Sequence, residues 1–262
     1  MELVNLSGMR RAGRSAAATL ANAARILRPG LATAAIDRLV RTDTKRRGGR
    51  PSQLGYHGFP ASVCVSRNHV VCHGIPKDSE ILEDGDIVNI DVTTELDGWN
   101  GDCSATFFVG RPSPEATHVV DVARRCRDVG IAAVQPGATI GDIAAVIMEL
   151  AASEGCSIVE EYGGHGIGRK MHQPPSVMYV GERGDGMVLR PGMAITIEPM
   201  INLGSSTVRV LDDGWTVVTA DGQLSAQFEH TVVVTEEGAV VTTRGPVSAG
   251  GTAGRRSGRR RR

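Results

Sequence analysis

Four acidic residues stand where acids are costly to place. Asp91 lies in Val-Asn-Ile-Asp-Val, Glu198 in Ala-Ile-Thr-Ile-Glu and Glu229 in Gln-Phe-Glu-His-Thr-Val-Val-Val, each a segment suited to a buried strand. Asp102 joins them through a hairpin. A two-residue turn at Asp97-Gly98 pairs position 93 with 102, so Asp102 and Asp91 point to one face. Carboxylates converging in an apolar setting raise one another's pKa unless cations compensate. Each acid alone reads as a strand-end or surface residue; the four together read as metal ligands. Gly163-Gly164-His165-Gly166-Ile167-Gly168 adds a histidine in a loop too glycine-rich for a core, a candidate fifth ligand. Four carboxylates and one imidazole describe a two-metal site whose oxygen-rich donors suit Mn, Fe or Co, and also Zn, ahead of a thiolate zinc site.

The elements that must position these groups follow from periodicity and punctuation. Ser7 to Leu27 is expected to form a helix capped by Ser7 and stopped by Pro29-Gly30. A second helix is expected over 33–45, with Ile36, Leu39 and Val40 on one face. Two strands fill 86–109. Ser113-Pro114-Glu115 opens a third helix to about Val134. Thr139 opens a fourth, with Ile143, Ile147 and Leu150 inward, ending at Gly155. The rest reads as β-rich.

This order occurs twice at a fixed shift. Pro29-Gly30 matches Pro136-Gly137, and Ile36 matches Ile143, both displaced by 107 residues. Leu82, Gly85, Val88, Ile90 and Asp91 match Leu189, Gly192, Ile195, Ile197 and Glu198 at the same displacement. The pattern predicts two halves, about 1–110 and 111–244, related by an internal pseudo-two-fold, each presenting a carboxylate at the same point of an apolar strand.

The chain has 262 residues, 41% hydrophobic and 22% charged, with 33 Gly, which suits a single α/β unit with a sizeable core. No apolar run approaches the ~20 residues of a membrane span. Arginines spread among the alanines of residues 1–30 do not make a secretory signal. Five cysteines without CxxC spacing predict reduced thiols in a cytoplasmic protein. Net charge is zero, yet six of the last eight residues are arginine, and without them 23 basic residues face 29 acidic ones. From Gly245 onward, Gly, Ser, Ala and Arg replace apolar residues, and 245–262 is expected to be a disordered tail. Its clustered arginines suit salt-dependent contact with ribosomal RNA. No interface stripe or coiled coil is visible, so a monomer is expected.

Six motifs carry a family resemblance: Gly-Tyr-His-Gly-Phe-Pro (55–60), Val-Cys-His-Gly-Ile-Pro (71–76), Val-Asn-Ile-Asp-Val-Thr (88–93), Gly-Gly-His-Gly-Ile-Gly (163–168), Thr-Ile-Glu-Pro-Met (196–200) and Ser-Ala-Gln-Phe-Glu-His-Thr (225–231). In order and spacing the chain resembles the type I methionine aminopeptidases over roughly residues 3–244. The resemblance implies the α/β "pita-bread" fold, with antiparallel sheets covered by helices. It also implies removal of the initiator methionine from nascent polypeptides whose second residue is small. It makes Asp91, Asp102, His165, Glu198 and Glu229 the ligands of two divalent ions, with Asp102 and Glu229 shared by both. Glu198 would relay a proton to the departing amine, His172 would contact the substrate carbonyl, and His73 the nitrogen of the cleaved bond. Phe59, Cys64, Tyr162, Trp215 and Phe228 would form the methionine pocket, and a monovalent cation would sit near Asn68, Val70 and Ser225. Asn100 stands where many members carry His, and Phe59 where Tyr is frequent. Two relatives within the fold fit less well. Prolidase-type enzymes usually carry a large additional N-terminal domain, and the 25 residues between His172 and Glu198 leave no room for the type II helical insertion. A metal-free binding module is the alternative outside enzymes, disfavoured because all five ligands are present.

Overall fold

The computed structural model describes residues 4–245. Of the expected disordered tail, 246–262 lies outside the described residues. From the N-terminus run α1 (Leu6–Ala24), α2 (Thr33–Arg46), β1 (Arg50–Pro51), β2 (Cys64–Arg67), β3 (Val70–Cys72), β4 (Ile87–Leu96) and β5 (Trp99–Phe108). Then follow α3 (Pro114–Ala133), α4 (Ile140–Ser153), β6 (Ser157–Ile158), β7 (Gly164–Gly166), β8 (Gln173–Val177) and β9 (Ala194–Ile197). The remaining strands are β10 (Met200–Asn202), β11 (Val208–Val210), β12 (Val217–Thr219), β13 (Ser225–Gln227), β14 (His230–Thr235) and β15 (Gly238–Val241).

Two sheets hold the acids. In one, β4 pairs with β5 on one edge and with β1 and β2 on the other; in the other, the order is β15-β14-β9-β7-β8. Two three-stranded sheets, β13-β10-β6 and β11-β12-β3, complete the β structure. The β4–β5 turn falls at Asp97 (φ 53°) and Gly98 (φ 75°), both in the left-handed region that a tight two-residue hairpin turn demands. Its register places Thr93 opposite Asp102, as the turn position requires.

Asn5, not Ser7, caps α1: its Oδ1 accepts from Gly8 N at 2.8 Å. Asparagine caps as well as serine does, and starting the helix earlier leaves Ser7 Oγ to accept from the Arg11 guanidinium. The helix tightens into i→i−3 bonds at Arg25, Ile26 and Leu27 ahead of Pro29. Ser113 caps α3, and Thr139 with Asp142 forms a capping box at α4. Ile143 and Ile147 are fully buried, whereas Leu150 is half-buried.

Helices and sheets share one large core in which Ile36, Val40, Ile87, Ile90, Ile143, Ile147, Ile195 and Ile197 are buried. Helix α1 lies directly on β5, where a Cβ at Gly101 would stand 2.4 Å from Gly13 N. Only glycine admits that approach, and it seats the residue before Asp102 against the helix. No helix among the described residues is long and apolar enough to cross a membrane.

Candidate metal centre

Asp91 projects from the middle of β4, Asp102 from β5, His165 from β7, Glu198 from the end of β9, and Glu229 from the link between β13 and β14. The strands bring all five to one cleft of about 430 Å³. One oxygen each of Asp102 and Glu229 and one nitrogen of His165 lie within 4.8 Å of one another. His165 Nε2 stands 3.8 Å from Asp102 Oδ2 and 3.5 Å from Glu198 Oε1. His165 Nδ1 lies 3.0 Å from the Gly166 carbonyl, which assigns its proton to Nδ1 and turns the Nε2 lone pair to the acids.

The supports differ from acid to acid. Thr93 Oγ1 donates to Asp102 Oδ1 at 2.7 Å, and the Asp102 amide donates to Thr231 Oγ1 at 3.0 Å. Glu198 Oε1 accepts from Thr196 Oγ1 at 2.7 Å and Glu198 Oε2 from Gln227 Nε2 at 3.1 Å. The Glu198 amide donates to Tyr179 Oη at 2.7 Å. By contrast, Asp91 Oδ1 and Glu229 Oε1 are buried and have no hydrogen-bond partner.

Burial pushes the acids up. Glu198 is raised to about 8, by burial first and by the Asp102 charge second. Asp102 is raised to about 6 by burial, against hydrogen bonds from Thr93, Asp91 and the Cys103 amide. Asp91 and Glu229 are held well above the usual carboxylate range, by burial and then by Asp102. Among the described residues, no lysine or arginine lines the cleft. Burial lowers His165 to about 3 and His172 to about 4, each further depressed by neighbouring histidines, so both rings are neutral near pH 7. Four converging acids, two of them buried, with two orphaned oxygens and an imidazole nitrogen turned toward them, fit divalent cations. The donor set, all oxygen and nitrogen, is that of hard or borderline ions.

Phe59, Cys64, Tyr162 and Trp215 line the same cleft, with His73 and His172. Phe59 meets the Trp215 ring edge to face with centroids 5.1 Å apart. His73 meets Tyr162 at 5.7 Å and His172 meets His165 at 4.1 Å. Phe228 does not belong to this wall. It is buried in the main core, under the Arg127 guanidinium at 5.4 Å, and faces a separate cavity of about 640 Å³. Neighbouring residues of an extended chain face opposite ways, and Glu229 takes the cleft side.

The sequence reading missed Gln53, Tyr56, Met171, Met178 and Met200, which also line the cleft. Met171 and Met200 sit beside His172 and within the Glu198 motif, a signal of proximity that hydrophobic periodicity does not carry. Asn100 ties the loop after His165 to β5, donating to the Gly168 and Arg169 carbonyls at 3.0 and 3.1 Å and accepting from Ser52 Oγ at 2.7 Å. All five cysteines are buried and unpaired.

The model of metallopeptidase family M24 matches residues 7–236. Methionine aminopeptidase A of Synechocystis sp. is 50% identical over 237 residues, 90% of this chain and 94% of that protein. Methionine aminopeptidase of Escherichia coli is 45% identical over 240 residues, 91% of either chain. The crystal structure of methionine aminopeptidase from Rickettsia prowazekii superposes with a TM-score of 0.89 at 44% identity, covering 90% of this chain and 95% of that one. The α/β pita-bread architecture is common to both.

Proposed function

From the premise that the chain belongs to metallopeptidase family M24, we infer that it is a methionine aminopeptidase, a hydrolase that removes N-terminal methionine from polypeptides. The observation that carries this reading is a cleft in which four acids and His165 adjoin a pocket of aromatic and sulfur-bearing side chains. Asp91, Asp102, His165, Glu198 and Glu229 would hold two divalent ions. Bound there, the ions would lower the pKa of water and stabilise negative charge on the scissile carbonyl oxygen. Mn, Fe, Co and Zn are the candidates.

The chain's own groups do the rest. Phe59, Cys64, Tyr162 and Trp215 accept the unbranched thioether of methionine, with sulfur–ring contacts favouring it. His172, neutral at physiological pH, donates a hydrogen bond to the substrate carbonyl, and His73 binds the nitrogen of the cleaved bond. Glu198 passes a proton to that nitrogen as it leaves. Ser225 Oγ and Asn202 Oδ1, buried without partners on opposed residues of β13 and β10, support a monovalent cation near Asn68, Val70 and Ser225. We read residues 1–244 as one catalytic domain of two related halves, monomeric and cytoplasmic. The arginine-rich segment would hold it near ribosomal RNA. Co-sedimentation with ribosomes unchanged on deletion of 255–262 would reject that contact.

The central test is hydrolysis of Met-Gly-Met after chelation and return of single metals. Activity should vanish with chelator and return with at least one of Mn, Fe, Co or Zn, and Glu229→Gln should stay inactive throughout. Undiminished cleavage in chelator would overturn the reading.

A further inference from the structure

The outer edge of β4 is shared by two short strands with a gap between them. β1 covers Glu95 and Thr94, and β2 covers Asp91 to Val88. The chain leaves the sheet after Ser52, whose amide still donates to the Thr93 carbonyl at 3.0 Å, and turns at Gly55 (φ 81°) toward the pocket residues Tyr56 and Phe59. That departure would strand two backbone groups beside the metal centre. The Gln53 side chain takes both: its Nε2 donates to the Asp91 carbonyl at 2.9 Å, and its Oε1 accepts from the Thr93 amide at 3.2 Å. A carboxamide has the donor and acceptor of a peptide unit, so Gln53 stands in for the missing residue of β1.

The segment so held carries two parts of the centre. Asp91 is a proposed ligand whose Oδ1 has no partner in the protein, and Thr93 Oγ1 orients Asp102. Gln53 is 6% exposed, lines the cleft, and its Nε2 lies 3.9 Å from Cys64 Sγ at the pocket wall. We propose that Gln53 is a positioning residue for the Asp91 side of the centre, fixing the strand so that Asp91 and Asp102 bind a divalent cation tightly. Glu198 needs no such device, because Thr196 and Gln227 hold its carboxylate directly. This inference rests on the metal-dependent reading above.

The test uses the full chain, stripped by chelation and titrated with Mn(II) by calorimetry and by activation of Met-Gly-Met cleavage. Gln53→Met keeps length and volume without the amide. Gln53→Asn keeps the amide but is one methylene too short to reach both backbone groups. Either should weaken one of the two Mn(II) equivalents about tenfold or more, the scale expected when a group supporting a ligand is lost. The Mn(II) concentration for half-maximal activity should rise in step, with kcat at saturating Mn(II) restored to within about threefold. Unchanged Mn(II) affinity in both variants overturns the proposal, as does a fall in kcat that saturating Mn(II) does not repair. Failure of the unaltered chain to bind Mn(II) or to cleave would instead strike the metallopeptidase reading itself.

Discussion

Asp91 and Glu198 occupy the same place in two stretches of chain related by a shift of 107 residues, and their supports differ. The framework around them is repeated bond for bond. Gly30 N donates to Leu82 O at 2.7 Å and Gly137 N to Leu189 O at 2.9 Å. Leu82 N donates to Leu31 O and Leu189 N to Ala138 O, while Ala32 bridges Ile81 and Thr139 bridges Val188. What lies between the helix and the acid-bearing strand is different. In the first stretch, short strands and the Gln53–Phe59 turn wall the pocket. In the second, the glycine-rich loop brings in His165 and His172. Repeated backbone hydrogen bonds make the platform, and the intervening loops make the chemistry. Glu198 is clasped through both oxygens by Thr196 and Gln227, whereas Asp91 Oδ1 has no partner in the protein.

Substitution at the two related acids gives the sharpest contrast. Asp91→Asn and Glu198→Gln should each cut kcat/KM by more than about 100-fold, beyond the cost of losing a supporting group. Both carboxyls are raised in the folded, metal-free protein, so both substitutions should raise the Tm of the chelated protein, Asp91→Asn the more because Thr196 and Gln227 already hold Glu198; equal shifts in both variants would erase the distinction. Next in size is Gly101→Ala, which drives a methyl into the Gly13 backbone of α1. It should destabilise the protein by about 3 kcal/mol in urea unfolding, the upper range for overpacking. Thr196→Val should be milder. Removing the hydroxyl that donates to Glu198 and accepts from the His165 amide at 2.9 Å should cost about tenfold in kcat/KM and about 1–2 kcal/mol of stability.

The smallest effect is one of pH. Glu198, raised to about 8 in the folded, metal-free protein, binds more protons there than in the unfolded chain between its ordinary carboxylate range and pH 8. Stability of the chelated protein should therefore rise as pH falls through about 8 and continue to rise toward the unfolded pKa. Asp102, raised to about 6, adds the same trend lower down. Thermal melts of chelated protein from pH 9 to 6 check the sign, and bound Mn(II) should abolish the trend.

Asp91, Glu198 and Glu229 were legible in the sequence as cleft residues because each breaks an apolar run, and Asp97-Gly98 fixed the register that aligns Asp102 with Asp91. Helix limits were legible through Ser113, Thr139 and Pro29. Phe228 was misplaced because motif membership does not tell which way a side chain leaves an extended backbone. Gln53 gave no signal at all: its role depends on where β1 departs from the sheet, a property of chain path that no local pattern encodes. Asn5 and Ser7 are equally good caps by type, so residue type alone does not choose between them.

Helix α1 carries one further consequence. Gly13 lies so close to Thr242 that a Cβ would stand 2.5 Å from its carbonyl oxygen, and Gly245 runs beside Ala17. The seat of α1, laid mainly by β4 and β5, is thus completed only by the chain beyond β15. A product truncated before Thr242 would leave the Gly13–Ala17 side of α1 bare, although every residue of the cleft precedes the cut.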